Sequence, residues 1–141
     1  MRESTGRIRA LTGSWTGAEF ERPYAPGKWS ARQVLIHLAQ MELALCSRAR
    51  LALTTPNYVA QAFDQDRWIA LDATMSGREA LEAFAAVAAM NRAFFKALSP
   101  ADRGTTLSHP EYGALTVDWI LHQMAGHQIH HLKHFEAIPA R

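Results

Sequence analysis

Between Val117 and Ile138 the apolar residues Val117, Ile120, Leu121, Met124, Phe135 and Ile138 recur at steps of three and four, and five of the chain's seven histidines are threaded among them. That period belongs to an amphipathic helix and not to a strand, whose period is two. The five are His122, His127, His130, His131 and His134. At about 100° per residue, His127 and His131 lie about 40° apart around the axis, one turn from each other. Both fall on the flank of the apolar stripe and point inward, while His122, His130 and His134 fall on other faces and are expected to be wet. Two inward imidazoles one turn apart offer a divalent ion part of its shell, so a metal site needs donors from elsewhere in the chain.

The same helical period recurs upstream. Ser30 and Gln33 spell a capping box, and Val34, Leu35, Leu38, Met41, Leu45 and Ala52 carry an apolar face to about residue 53, where Thr54, Thr55 and Pro56 stop it. Ser76 and Glu79 spell a second box ahead of Leu81, Phe84, Ala88, Phe95 and Leu98, and Ser99-Pro100 ends that run. Ile8, Leu11 and Trp15 mark a shorter first helix over about residues 5–14. Residues 16–28, with Pro23, Pro26 and Gly27, read as a loop or a stretch that ends in one, residues 57–73 as a connection with one short helix at most, and residues 101–114, with Gly104, Pro110 and Gly113, as a loop. No period-two run announces a strand, and there is no internal repeat. The expected fold is all-α: a four-helix bundle in a single domain over residues 1–141, long enough to bury one core. Connections of this length permit an order other than up-down-up-down.

Composition excludes several function classes. The net charge is +2 and the pI about 9.0, but the basic residues are scattered among acids, and the local excess at Arg48 and Arg50 reads as a solvated helix face. No nucleic-acid partner is expected. The single cysteine, Cys46, provides no disulfide framework, which fits a reducing cytoplasm. The first residues lack a signal-peptide apolar region, and no apolar run approaches the roughly 20 residues of a membrane span. A cytoplasmic protein without a membrane partner is the expectation.

His37 is one of two histidines outside the last helix, the other being His109. It shares the buried face of its helix with Val34 and Met41. A histidine there, facing a helix that presents two more, is what a three-histidine site with open coordination positions requires. A hydrogen-bonded core histidine fits the same spacing, and spacing alone does not make the three meet. The tract from His127 to His131 is not H-E-x-x-H, because Gln128 stands where a zincin has its glutamate, and no Glu-x-x-His pair supports a di-iron site. Cys46 lies about 120° from the core centre and reads as an inert packing residue. His130 and His134 form an outward pair able to collect metal during purification without any function. Arg48, eleven residues after His37 near the same stripe, either binds an anion or anchors the bundle.

The pattern resembles the DinB/YfiT-like superfamily. Pro26-Gly27-Lys28-Trp29-Ser30-Ala31 followed by Val34, His37-Leu38 and Glu42 is similar to that family's second-helix signature. Phe63-Asp64-Gln65-Asp66-Arg67-Trp68 resembles its middle segment, and Gly113-Ala114-Leu115-Thr116 with Gly126-His127-Gln128-Ile129-His130-His131-Leu132 its last-helix motif. The likeness runs from about residue 8 to residue 138. It implies a four-helix bundle, often a homodimer, with one divalent metal, zinc or nickel, on His37, His127 and His131. It also implies a small-molecule substrate and two chemistries: transfer of a low-molecular-weight thiol such as bacillithiol or mycothiol, or hydrolysis. A non-catalytic metal-binding module is the third possibility. Asp64, Asp66 and Glu42 are candidates to orient the imidazoles, though each also fits an ordinary cap or surface acid. A polar pocket at the metal favours an enzyme; a metal sealed under Trp29, Trp68 and Trp119 favours a structural role.

Overall fold

The computed structural model describes residues 1–138; the last three residues of the expected domain lie outside the described residues. Two long helices begin where the sequence places them. Helix α3 (Ala31–Thr54) and helix α5 (Gly77–Ala97) open on Ser30 and Ser76, whose hydroxyls accept the N–H groups of Gln33 and Glu79 while those side chains reach back to the cap. These are the reciprocal bonds of a capping box. Helix α7 (Val117–Glu136), the histidine-bearing one, is capped by Thr116, whose Oγ1 accepts the Trp119 N–H at 3.1 Å.

Helix α1 (Arg2–Thr12) starts three residues earlier than the spacing of Ile8, Leu11 and Trp15 predicts. No side-chain cap marks its start, and Ser4 and Thr5, which break the apolar pattern, are nonetheless buried. Two connections contain short helices, α2 (Gly17–Phe20) and α4 (Gln65–Leu71). The expected loop at 101–114 needs correcting. It holds helix α6 (Pro100–Gly104) and an antiparallel hairpin of β1 (Thr106–His109) and β2 (Gly113–Thr116), with Thr106 opposite Thr116 and His109 opposite Gly113. Four-residue strands are too short to show a period of two, and Gly113 at φ 72° takes the left-handed turn conformation a side chain disfavours.

Helices α1, α3, α5 and α7 form the four-helix bundle. α3 packs on α5 and α7, and α1 packs on the same two. α1 therefore sits diagonally across from α3, and α5 across from α7, so the chain crosses the bundle between α1 and α3 and again between α5 and α7. The order is not simple up-down-up-down.

The core has two apolar layers. One gathers Ile8, Leu35, Leu38, Leu81, Phe84 and Phe135, the other Leu45, Ala49, Phe95, Val117, Ile120 and Met124. Between them along α3, α5 and α7 lie three buried polar residues, Glu42, Asn91 and Gln128. Gln128 donates to Glu42 Oε1 at 2.5 Å and accepts the Ser4 hydroxyl at 2.6 Å, while Asn91 donates to Glu42 Oε2 at 2.8 Å. Buried polar groups need such partners to offset lost hydration. Among the described residues no helix is long and apolar enough to cross a membrane.

Candidate metal centre

The packing of α3 on α7 brings His37, His127 and His131 together. Nε2 of His127 lies 2.9 Å from Nε2 of His37 and 3.1 Å from Nε2 of His131. One ring nitrogen offers either one proton or one lone pair, so His127 Nε2 cannot make two well-formed hydrogen bonds at once. A cation accepting three lone pairs satisfies all three nitrogens. A tetrahedral ion with bonds near 2.05 Å separates its ligand nitrogens by about 3.3 Å, close to the two spacings His127 makes. The donor set fits a borderline-soft divalent ion, and the three histidines form a group able to hold it.

Electrostatics keep the imidazoles in the form a metal needs. Burial lowers His37 from its ordinary 6.5 to about 3, with His127 adding to the effect. Burial likewise takes His127 to about 4, helped by His130, and His131 to about 2, helped by His127, His37 and its neighbours on α7. All three are neutral at pH 7, ready to donate lone pairs without first losing a proton.

The two sides of the centre differ. The Trp29 ring covers His37 at 4.9 Å between centroids, held by a bond from its indole N–H to Asp66 at 3.2 Å. On the other side His127 forms part of the wall of a cavity of about 160 Å³, shared with Met41, Leu45, Arg48, Phe63 and Trp119. Trp68 stacks on Phe63 at 4.0 Å, away from the triad's own ring contacts. Trp29 thus covers the centre at His37, and His127 borders the cavity.

The carboxylates suggested as imidazole partners are engaged elsewhere. Asp64 caps α4 by accepting the Arg67 N–H at 3.0 Å, Asp66 holds Trp29, and Glu42 belongs to the layer with Asn91 and Gln128. Burial raises the Glu42 pKa. The partner of His131 is instead His134, with the two Nδ1 atoms 3.0 Å apart. His134 is half-buried and stacked on Tyr24 at 3.8 Å, not wet as expected. The sequence carried the signal, because His134 lies only about 20° from His127 around the helix axis. His122 and His130 are exposed, as their faces imply. His130, His131 and His134 also form a possible metal-holding group, sharing His131 with the triad. Cys46 is fully buried, its thiol pushed up to about 11 by burial, and it accepts from Arg50 Nη1 at 2.6 Å. It is inert at neutral pH.

Comparison with known proteins follows the same lines. The sequence profile of the DinB superfamily matches residues 1–135. A protein of Oceanobacillus iheyensis named "putative metal-dependent hydrolase" is 30% identical over 124 residues, which is 87% of this chain and 72% of that protein. The fold is similar to that of YfiT from Bacillus subtilis, described as "a probable metal-dependent hydrolase with an unusual four-helix bundle topology", at a TM-score of 0.87 and 22% identity over 96% of this chain and 79% of that one. It is also similar to a mycothiol-dependent maleylpyruvate isomerase, at a TM-score of 0.80 and 16% identity over 99% of this chain and 59% of that one.

Proposed function

The chain belongs to the DinB superfamily, and from that premise we propose that it is a metal-dependent enzyme. In this reading His37, His127 and His131 hold one zinc or nickel ion that activates a low-molecular-weight thiol for transfer to a small electrophile. The observation that carries it is the triad's contact with a cavity: His127 forms part of the cavity wall, so a thiol or water in the cavity would lie beside the centre. A divalent ion held by the three histidines would supply an electrophilic centre able to lower the pKa of a thiol or water beside it.

The protein's own groups do the rest. Neutral His37, His127 and His131 donate lone pairs, and His131 keeps its remaining proton on Nδ1, aimed at His134. Trp29 shields His37 from solvent, while Met41, Leu45, Phe63 and Trp119 supply the apolar part of a cavity wall whose polar part includes Arg48, His109 and His127. Likeness to a mycothiol-dependent isomerase supports the thiol; it is a likeness of fold. Hydrolysis is the second reading, favoured by the name of the Oceanobacillus relative.

The test combines two assays on untagged, metal-loaded protein: adduct formation between bacillithiol or mycothiol and monochlorobimane, and hydrolysis of p-nitrophenyl butyrate. Thiol adducts that require metal and disappear in His37→Ala support the transferase. Metal-dependent ester cleavage without adducts replaces it with the hydrolase, and neither reaction leaves a non-catalytic metal-binding module.

A further inference from the structure

Arg48 follows His37 by eleven residues on α3, which returns it to within about 20° of the same side of the helix, three turns on. The residue is half-buried. Its guanidinium donates to the Gln61 carbonyl and lies 5.6 Å from the centre of the Phe63 ring. Among the described residues no carboxylate is in ion-pair contact with it. Five N–H donors cannot be spent on one carbonyl, and a partly dehydrated cation without a carboxylate in contact is costly.

Glu111 offsets part of that cost through space, without an ion-pair contact. Glu111 stands exposed at the same cavity and is engaged through its backbone, whose N–H donates to Nδ1 of buried His109 at 3.1 Å. Burial and the Arg48 charge both hold His109 below its ordinary pKa, so it stays neutral. Tyr58 and Tyr112 are the other titratable neighbours. Arg48 and His127 line one cavity of about 160 Å³, the space of about five waters at roughly 30 Å³ each. The cavity thus has a cation in its wall, apolar sides at Leu45, Phe63 and Trp119, and one imidazole of the metal centre.

We infer that Arg48 is the anion-recognition group of this cavity, and that the molecule reacting at the histidines is a small carboxylic acid with an apolar body. Its carboxylate takes the free N–H groups of Arg48 in a forked bond, and its apolar part lies along Phe63 and Trp119 toward His127. A guanidinium fork suits a planar carboxylate better than a lysine does. The second half of this assignment rests on the metal-dependent reading; the anion site does not.

The experiment measures binding of phenylacetate, its neutral analogue phenylacetamide and inorganic phosphate by tryptophan fluorescence. It uses the wild type, Arg48→Gln, Arg48→Lys and His37→Ala, with metal content measured for each. Wild type should prefer phenylacetate over phenylacetamide by about tenfold or more, the scale of one charged hydrogen-bonded pair. Arg48→Gln should lose that preference, Arg48→Lys should keep part of it, and His37→Ala should keep it. If the preference survives in Arg48→Gln and vanishes in His37→Ala, the carboxylate sits at the metal and the Arg48 assignment is overturned while the metal centre stands. If no metal binds and the preference still tracks Arg48, the anion site stands and the metal reading falls. Phosphate binding as tightly as phenylacetate overturns the carboxylate assignment. Should Arg48→Gln fail to fold, the Arg48 Nε–H resonance of the wild type must move on adding phenylacetate, and an unmoved resonance overturns the site.

Discussion

His131 faces two ways: its Nε2 lies 3.1 Å from His127 Nε2 and its Nδ1 lies 3.0 Å from Nδ1 of His134, which the Tyr24 ring holds in place by stacking. When Nε2 gives its lone pair to a metal, Nδ1 carries the proton and donates to His134. His134→Ala should therefore weaken metal affinity by about 10–100-fold in a chelator competition. His134→Gln, which still offers an acceptor oxygen, should recover part of the loss. His130→Ala should change nothing, and a His134→Ala protein with wild-type affinity would show that the bond orients nothing.

The buried histidines set the acid response of the metal-free protein. Their folded pKa values, about 3, 4 and 2 for His37, His127 and His131, lie below the ordinary 6.5. The unfolded chain then binds more protons than the folded one, and stability rises with pH. Stability of chelator-treated protein should fall as pH drops from about 6.5 toward 4, read as urea midpoints. His37→Gln should flatten that slope, and an unchanged slope would contradict the shift.

Glu42 acts with the opposite sign. Burial raises its folded pKa above 4.5 although Asn91 and Gln128 donate to it. The folded state then holds the extra proton, so this group's contribution declines as pH rises through 4.5 and ends above the folded pKa. Glu42→Gln should remove that decline, and the difference between the two proteins should grow with pH across this window. Parallel curves would mean that Glu42 titrates normally.

Gly77 begins α5 against Phe20, and a Cβ there would overlap the ring. Phe20 is only 2% exposed, and the overlap falls on its Cβ and Cγ, not on the far end of the side chain. Gly77→Ala gains up to about 1 kcal/mol of helix propensity. It should still lower stability, because forced overpacking costs about 1–3 kcal/mol. Gly126→Ala, with open space around it, should be neutral or stabilising by the same denaturation assay.

Much of this was legible in the sequence, for identifiable reasons. Ser30 with Gln33 and Ser76 with Glu79 mark helix starts through local bonds, and local bonds leave local signatures. The spacing of His127 and His131 gave their shared flank, and His37 its inward face. That α3 packs on α7 is a tertiary fact that no spacing contains, and only the family resemblance anticipated it. The small hairpin escaped because four residues cannot establish a period. Helix α2 escaped although Thr16 and Glu19 spell its capping box, because the prolines that follow dominate the reading. Ser4 and Thr5 look like surface residues until Gln128, at the centre of the buried stripe of α7, gives them a partner.

The most direct test of the three-histidine centre is the metal content of untagged protein, measured in parallel for wild type, His37→Ala and His130→Ala. One equivalent of zinc or nickel in wild type and in His130→Ala, lost in His37→Ala, is the expected result, because only His37 joins α3 to the pair on α7. Metal retained by His37→Ala but lost by His130→Ala would place the ion on the outer group of His130, His131 and His134. That result would contradict the cross-helix centre.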